Sequence, residues 1–283
     1  MAQTITGLSQ READFLSRLA AENRSVFRIE EVATHWPDPT TIHAMLSRLQ
    51  RGGWLKRIER GLYLLVPLSA GPSRVWTEEA LVIAARLVTP SAVAYWSALR
   101  FWNFTEQMPR TIFVQSPHRK FRPSLTIEGV RYRIVTIRHQ GFFGIVQRAV
   151  SEQAVPITDR EKTILDTADR PDLCGGIWQL AQTLRNHWAA LDWPKLDAYL
   201  AHFASGALYK RLGYLVETLD LPLPERSALL ADWQARMTAG IALLDPSESD
   251  RGTVAGSIHQ RWRVRDNIGL RCASEGVKDD SRS

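Results

Sequence analysis

With 283 residues, 36 Lys and Arg against 30 Asp and Glu, and 2 cysteines, the chain is long enough for two units and too poor in cysteine for a disulfide framework. The net charge of +6 favours an anionic partner only weakly, but its distribution is uneven: residues 100–150 hold 9 basic and 2 acidic side chains, whereas residues 151–250 hold 9 basic and 15 acidic. The opening residues lack a signal-peptide pattern and no run approaches the ~20 apolar residues of a membrane span, so a cytoplasmic protein is expected.

Ser9 and Glu12 have the spacing of a capping box, and Phe15, Leu16 and Leu19 give the first predicted helix an apolar face. Ile29 to Thr34 reads as a short second helix and His35 to Asp38 as the turn into a third. Asp38 suits the N-cap of that third helix and Pro39 its first position, where proline's missing N–H would have had no partner. Gly52 and Gly53 can supply the left-handed backbone that ends it. Between these ends Ile42, Met45, Leu46 and Leu49 recur at helical steps on one side. Thr40, Thr41, Ala44, Ser47, Arg48 and Arg51 share the opposite side, and His43 joins them as a candidate contact. Small, hydroxylated and basic residues are what a major-groove helix uses: they allow close approach, reach phosphates, and pair with guanine.

Trp54 to Ile58 reads as a strand, Glu59 to Gly61 as a turn and Leu62 to Val66 as the returning strand, a hairpin whose Lys56, Arg57 and Arg60 would lie beside a DNA backbone. Residues 1–67 are therefore expected to form a winged helix-turn-helix, and the Pro- and Ser-bearing residues 68–75 a linker.

Residues 76–245 are expected to be a second domain. Helices are predicted over Glu78 to Val88 and Ser91 to Phe101, with Tyr95, Trp96 and Leu99 facing the core, then strands over Thr111 to Gln115, Val130 to Ile137 and Phe143 to Val150. These make a small, mostly antiparallel sheet. Alternation puts Arg131 and Arg133 on a solvent face, close in sequence to Arg119, Lys120 and Arg122, a basic patch that could touch nucleic acid or only solvate a surface. From Thr158 the chain turns helical: Thr158 is the expected cap, Ile164, Leu165 and Ala168 the apolar stripe, and four more helices follow near Ile177 to Trp188, Lys195 to Phe203, Ala207 to Leu219 and Glu225 to Leu244. In the fourth of these five, Leu208, Leu212, Leu215 and Leu219 should be buried, leaving Lys210 and Arg211 exposed as candidate partner contacts. Residues 246–283 are polar and expected to be disordered. The predicted class is α+β.

Asp159, Glu161, Asp166, Asp169 and Asp172 suggest a metal site by number but not by spacing, since Asp159 and Glu161 fall in a first helical turn that favours carboxylates anyway. The seven histidines are dispersed, and no phosphate-binding loop or nucleophile elbow occurs. Neither catalysis nor a cofactor is expected.

In combination these features resemble the AbiEi antitoxins of type IV toxin-antitoxin systems. The resemblance rests on the winged-helix pattern ending in Gly61, Leu62 and Tyr63, on Tyr95 to Leu99, on Thr158 to Asp166 with Pro171, Gly175 and Gly176 beyond, and on Lys210 to Leu215. It implies an autorepressor that binds inverted repeats in double-stranded promoter DNA and whose second domain counteracts a nucleotidyltransferase-like toxin encoded alongside. The residues alone reach only a DNA-binding regulator, so a repressor whose second domain binds a small-molecule effector stays open as the alternative.

Overall fold

A computed structural model describes residues 8–33, 39–66, 79–127, 129–247 and 256–270. The N-terminal part runs α1 (Gln10–Ala21), β1 (Val26–Arg28), α2 (Ile29–Ala33), α3 (Pro39–Arg51), β2 (Leu55–Glu59) and β3 (Leu62–Leu65). The capping box at the start of α1 is complete, with the Ser9 N–H donating to the Glu12 carboxylate at 2.9 Å and the Glu12 N–H donating back to the Ser9 hydroxyl. The Asp38 cap, the turn from His35 and the linker at residues 68–75 lie outside the described residues. At its far end α3 closes through Gly53, whose φ of +76° lets the Trp54 N–H reach back to the Leu49 carbonyl at 2.9 Å and starts the chain into β2. Phe15, Leu19, Ile42, Met45, Leu46 and Leu49 make one apolar core with Phe27, Leu55 and Tyr63.

β1 is a strand that the sequence pattern does not announce. It pairs antiparallel with β3, placing Val26 opposite Leu64 and Phe27 opposite Tyr63, so the wing is a three-stranded sheet in the order β1-β3-β2. Successive strand residues point to opposite faces. Phe27 and Tyr63 accordingly enter the winged-helix core, while Val26, Leu62 and Leu64 point away from it into a second cluster.

That second cluster belongs to the rest of the chain. After α4 (Glu79–Arg86) come β4 (Ala92–Val93), α5 (Tyr95–Phe101), β5 (Thr111–Ser116), β6 (Ser124–Ile127), β7 (Val130–Thr136), β8 (Ile145–Val150) and β9 (Gln153–Thr158). The six strands lie in the order β6-β7-β5-β4-β9-β8. Three of the five pairings are antiparallel; β5 with β7 and β4 with β9 are parallel. Val114, Tyr132, Ile134, Val155 and Ile157 pack with α4 and with the outward residues of the wing sheet, whereas Phe113 joins the large helical core on the other side. The six-stranded sheet is thus a middle layer between the winged helix with α4 and the helices α6 (Arg160–Asp169), α7 (Gly176–His187), α8 (Trp193–Phe203), α9 (Gly206–Thr218) and α10 (Arg226–Ala235).

Polar contacts join the same layers. Arg86 pairs with Glu31 at 2.9 Å, Arg28 donates to the Arg86 carbonyl at 3.0 Å, and the Gln153 amide donates to the Ser25 hydroxyl at 2.6 Å. The winged helix is packed against the remainder rather than tethered beside it.

Four expectations need correction. Ser91 to Phe101 is not one helix, because Ala92–Val93 is drawn into the sheet between β5 and β9 before α5 begins. The cap of α6 is Asp159, whose carboxylate accepts the Lys162 N–H at 2.8 Å, while the Thr158 hydroxyl is taken up by Thr163 at 2.9 Å. α10 stops at Ala235, and Ala242–Leu243 forms a short strand, β10. The expected disordered tail is folded over residues 256–270, where β11 (Ser257–His259) and β12 (Val264–Asp266) build a small sheet with β10 and Trp262 is fully buried against α9.

Candidate functional site

The buried and exposed sides of α3 separate cleanly. Ile42, Met45, Leu46 and Leu49 are each no more than 2% exposed. Burying side chains of this size is worth about 1.5–3 kcal/mol apiece, enough to fix the rotation of the helix. That rotation turns Thr40, Thr41, His43, Ala44, Ser47, Arg48 and Arg51 to solvent. Arg48 and Arg51 sit in the last turn, where cations also favour the helix dipole.

Arg48 has a second attachment that sequence reasoning missed. Its Nε donates to Glu12 at 2.9 Å, and Glu12 is the buried capping-box carboxylate of α1. The Ser9 N–H and the Arg48 guanidinium hold the Glu12 carboxyl below the usual range, against the opposing effect of its burial. Arg48 therefore orients α3 on α1 as well as presenting charge outward. Arg51 makes a local bond to the Ser47 carbonyl at 3.4 Å, and its head is exposed.

On the wing, Lys56, Arg57 and Arg60 are exposed. The pairing of β2 with β3 shifts register between Arg57 and Glu59, and the Arg57 Nε donates to the Glu59 carbonyl at 3.3 Å. Glu59 turns toward the six-stranded sheet, where Lys120 meets it at 2.7 Å and Arg28 approaches to 3.8 Å. The acid that would oppose a phosphate backbone is thus matched from the far side.

That pairing changes the role of Lys120. Its ammonium also donates to the Leu87 carbonyl, and its side chain is only 15% exposed, so it joins the winged helix to the sheet instead of extending a surface patch. Arg119, Arg131 and Arg133 are exposed as expected, with Tyr132 and Ile134 turned inward. Arg131 and Arg133 border a shallow depression that also includes Arg170.

Lys210 and Arg211 are buried, contrary to expectation. The Lys210 ammonium donates to the Gly240 carbonyl at 2.9 Å and burial pushes its pKa down; the Arg211 guanidinium donates to the carbonyls of Leu243 at 2.9 Å and Ala168 at 3.0 Å, and burial lowers it too. The leucine stripe is real, with Leu208, Leu212 and Leu215 fully buried and Leu219 half-buried, but α9 is enclosed on its other sides as well. The signal that could have revealed this is the off-stripe sequence itself, since Tyr209, Gly213 and Tyr214 are poor choices for a solvated face.

The carboxylates of the second part are mostly engaged in structure. Asp159 caps α6 and accepts from the Tyr199 hydroxyl at 2.8 Å, and Lys195 pairs with both Asp159 and Glu161. Lys162 and Asp166 form a buried ion pair one turn apart; burial raises the Asp166 carboxyl to about 6 although Lys162 pulls it down. No helix among the described residues is long and apolar enough to cross a membrane.

Comparison with known proteins bears on both parts of this arrangement. No curated protein matches the chain. The crystal structure of the RV2827C protein from Mycobacterium tuberculosis has the same overall fold, with a TM-score of 0.63 over 98% of this chain and 97% of that one at 16% identity. Residues 14–66, which include α3 and the wing, match the family model described as "Transcriptional regulator, AbiEi antitoxin", and in this region the chain is similar to the antitoxin and regulator proteins of that family.

Proposed function

We propose that this protein is an AbiEi-type antitoxin and a DNA-binding autorepressor of its own operon, acting by binding rather than catalysis. The observation that carries the reading is the exposed Thr40–Arg51 face of α3 beside a basic wing, both inside the segment that matches the regulator family. In this reading α3 enters the major groove of double-stranded promoter DNA, with Arg51 and Ser47 nearest the bases, and Lys56, Arg57 and Arg60 lie along the phosphates of each inverted repeat. The remainder of the chain counteracts a cytoplasmic nucleotidyltransferase-like toxin. The Arg119, Arg131 and Arg133 surface is the remaining exposed candidate for that role, because Lys120, Lys210 and Arg211 are committed to internal contacts.

Gel-shift titration on the promoter of the protein's own operon tests the first half. Arg51→Ala is expected to lose about 1–3 kcal/mol of specific binding if the guanidinium pairs with a base. Replacing Lys56, Arg57 and Arg60 together by Ala should flatten the slope of log K against log salt by about one unit for each phosphate no longer neutralised. Wild-type affinity and slope in both folded variants would remove the winged helix from the reading. Growth rescue on co-expression with the neighbouring toxin tests the second half, and a wild-type chain that gives no rescue would overturn it.

A further inference from the structure

Beside the carboxyl ends of the parallel strands β5 and β7, and between them and α6 and α9, lies a cavity of about 670 Å³. Its wall contains polar atoms that the described residues do not satisfy. Gln115 is fully buried, and neither its amide nitrogen nor its amide oxygen has a hydrogen-bond partner among the described residues. Asp166 gives one carboxylate oxygen to the Lys162 ammonium and leaves the other, also buried, without a partner among the described residues. Buried polar atoms are paired in the great majority of cases. Orphaned atoms from two side chains lining the same cavity therefore point to a partner supplied from outside.

The opposite wall is suited to negative charge. Arg138 lines the cavity from the end of β7, whereas Lys162 and Arg170 lie on and just after α6 and are already paired with Asp166 and Asp172. Ala204, Ser205 and Gly206 also line it, at the amino end of the 13-residue α9, where the cap residue Ser205 makes no side-chain bond to the first turn. Helix amino ends with free N–H groups favour anions, and in open sheets the carboxyl ends of parallel strands are where ligands gather. The volume is in the range of small-molecule sites, which run from about 300 to 1,000 Å³.

We propose that this cavity binds a small molecule with an amide-like donor and acceptor edge at one end and an anionic group at the other, the form of a nucleoside monophosphate. Gln115 offers a donor and an acceptor side by side, and the open oxygen of Asp166 accepts from a neighbouring N–H of the same ring. Arg138 and the amino end of α9 take the phosphate. The proposal stands apart from the DNA-binding reading, and it gives the effector-binding alternative a definite site and ligand class.

The test is thermal melting and calorimetric titration of the full chain with AMP, GMP, CMP and UMP, with guanosine and inorganic phosphate as separate arms. At least one mononucleotide should raise Tm in a concentration-dependent way, more than either the nucleoside or phosphate does. Gln115→Leu should keep the Tm of the free protein, since the amide makes no bond there, and abolish the ligand shift. Arg138→Ala, on an exposed rim, should weaken mononucleotide binding about tenfold and leave nucleoside binding unchanged. A flat response to all four mononucleotides, an equal response to phosphate alone, or a full shift in Gln115→Leu would overturn the proposal. Should Gln115→Leu not fold, Arg138→Ala decides alone, with unchanged mononucleotide affinity counting against the site. Promoter gel shifts on the same samples keep failure here distinct from failure of the DNA-binding reading.

Discussion

Trp262→Ala is expected to destabilise the protein by about 3–5 kcal/mol, the cost of emptying a fully packed aromatic site. The indole is fully buried, and its Nε1 donates to Glu217 of α9. Its six-membered ring lies directly over Gly213, where an added Cβ would fall 2.1 Å from a ring carbon. The same segment is held on both sides of the tryptophan: Arg261 pairs with Glu217 at 2.8 Å, and Asp266 accepts from the Tyr214 hydroxyl at 2.9 Å. Urea unfolding followed by circular dichroism should show the midpoint fall without a change of the native spectrum. Gly213→Val should move it the same way, because the ring and the new side chain cannot share the space. Unchanged midpoints in both variants would mean that residues 256–270 do not belong to the core.

That segment also shows where sequence pattern stops informing. Residues 246–283 are polar on average, and an average conceals Trp262, which a glycine on a distant helix is shaped to receive, and Val264, which joins the same core. α3 was legible because its information is local: a four-residue apolar stripe, terminating glycines and a hairpin directly after them define both the helix and its outward face. β1 was not, since Val26–Arg28 gains strand character only by pairing with β3, which lies far along the chain. The two-residue β4 is a similar case, settled by its neighbours β5 and β9 across the sheet. Lys120 was misjudged for the same reason, as nothing near it in sequence announces Glu59.

The segments beyond the winged helix singled out in the sequence lie together in the structure. Tyr95 to Leu99 lies on α5, Thr158 to Asp166 runs from the end of β9 into α6 and Lys210 to Leu215 lies on α9, and all three helices contribute to the same large core. Apart from the exposed Arg160 their charged members are internal: Lys162 pairs with Asp166, and Arg211 of α9 bonds the Ala168 carbonyl at the end of α6. A charged residue in such a segment reads as a surface contact until the fold shows what it bonds. Here the charges fix how the helices sit on one another, and the cavity that opens between α6, α9 and the sheet follows from that arrangement.

Arg211→Glu should therefore act on folding before it acts on any partner. The wild-type guanidinium, about 7% exposed, bonds the Leu243 carbonyl through Nε and the Ala168 carbonyl through Nη1, tying α9 to β10 and to the carboxyl end of α6. Asp169 and Asp245 lie close enough to act on its charge. A glutamate there would face two carbonyl oxygens and two acids with no donor, and reversing a buried charge of this kind should cost at least about 3–5 kcal/mol. Arg211→Lys keeps the charge but not the two-pronged geometry, and should lose about 1–2 kcal/mol. Loss of toxin rescue in Arg211→Glu would then accompany loss of the folded state, visible as a collapsed thermal transition. Arg131→Glu with Arg133→Glu, both exposed, should melt like wild type, so any loss of rescue in that variant reports on a surface contact. A wild-type transition in Arg211→Glu would show that the side chain is not buried between α6 and β10.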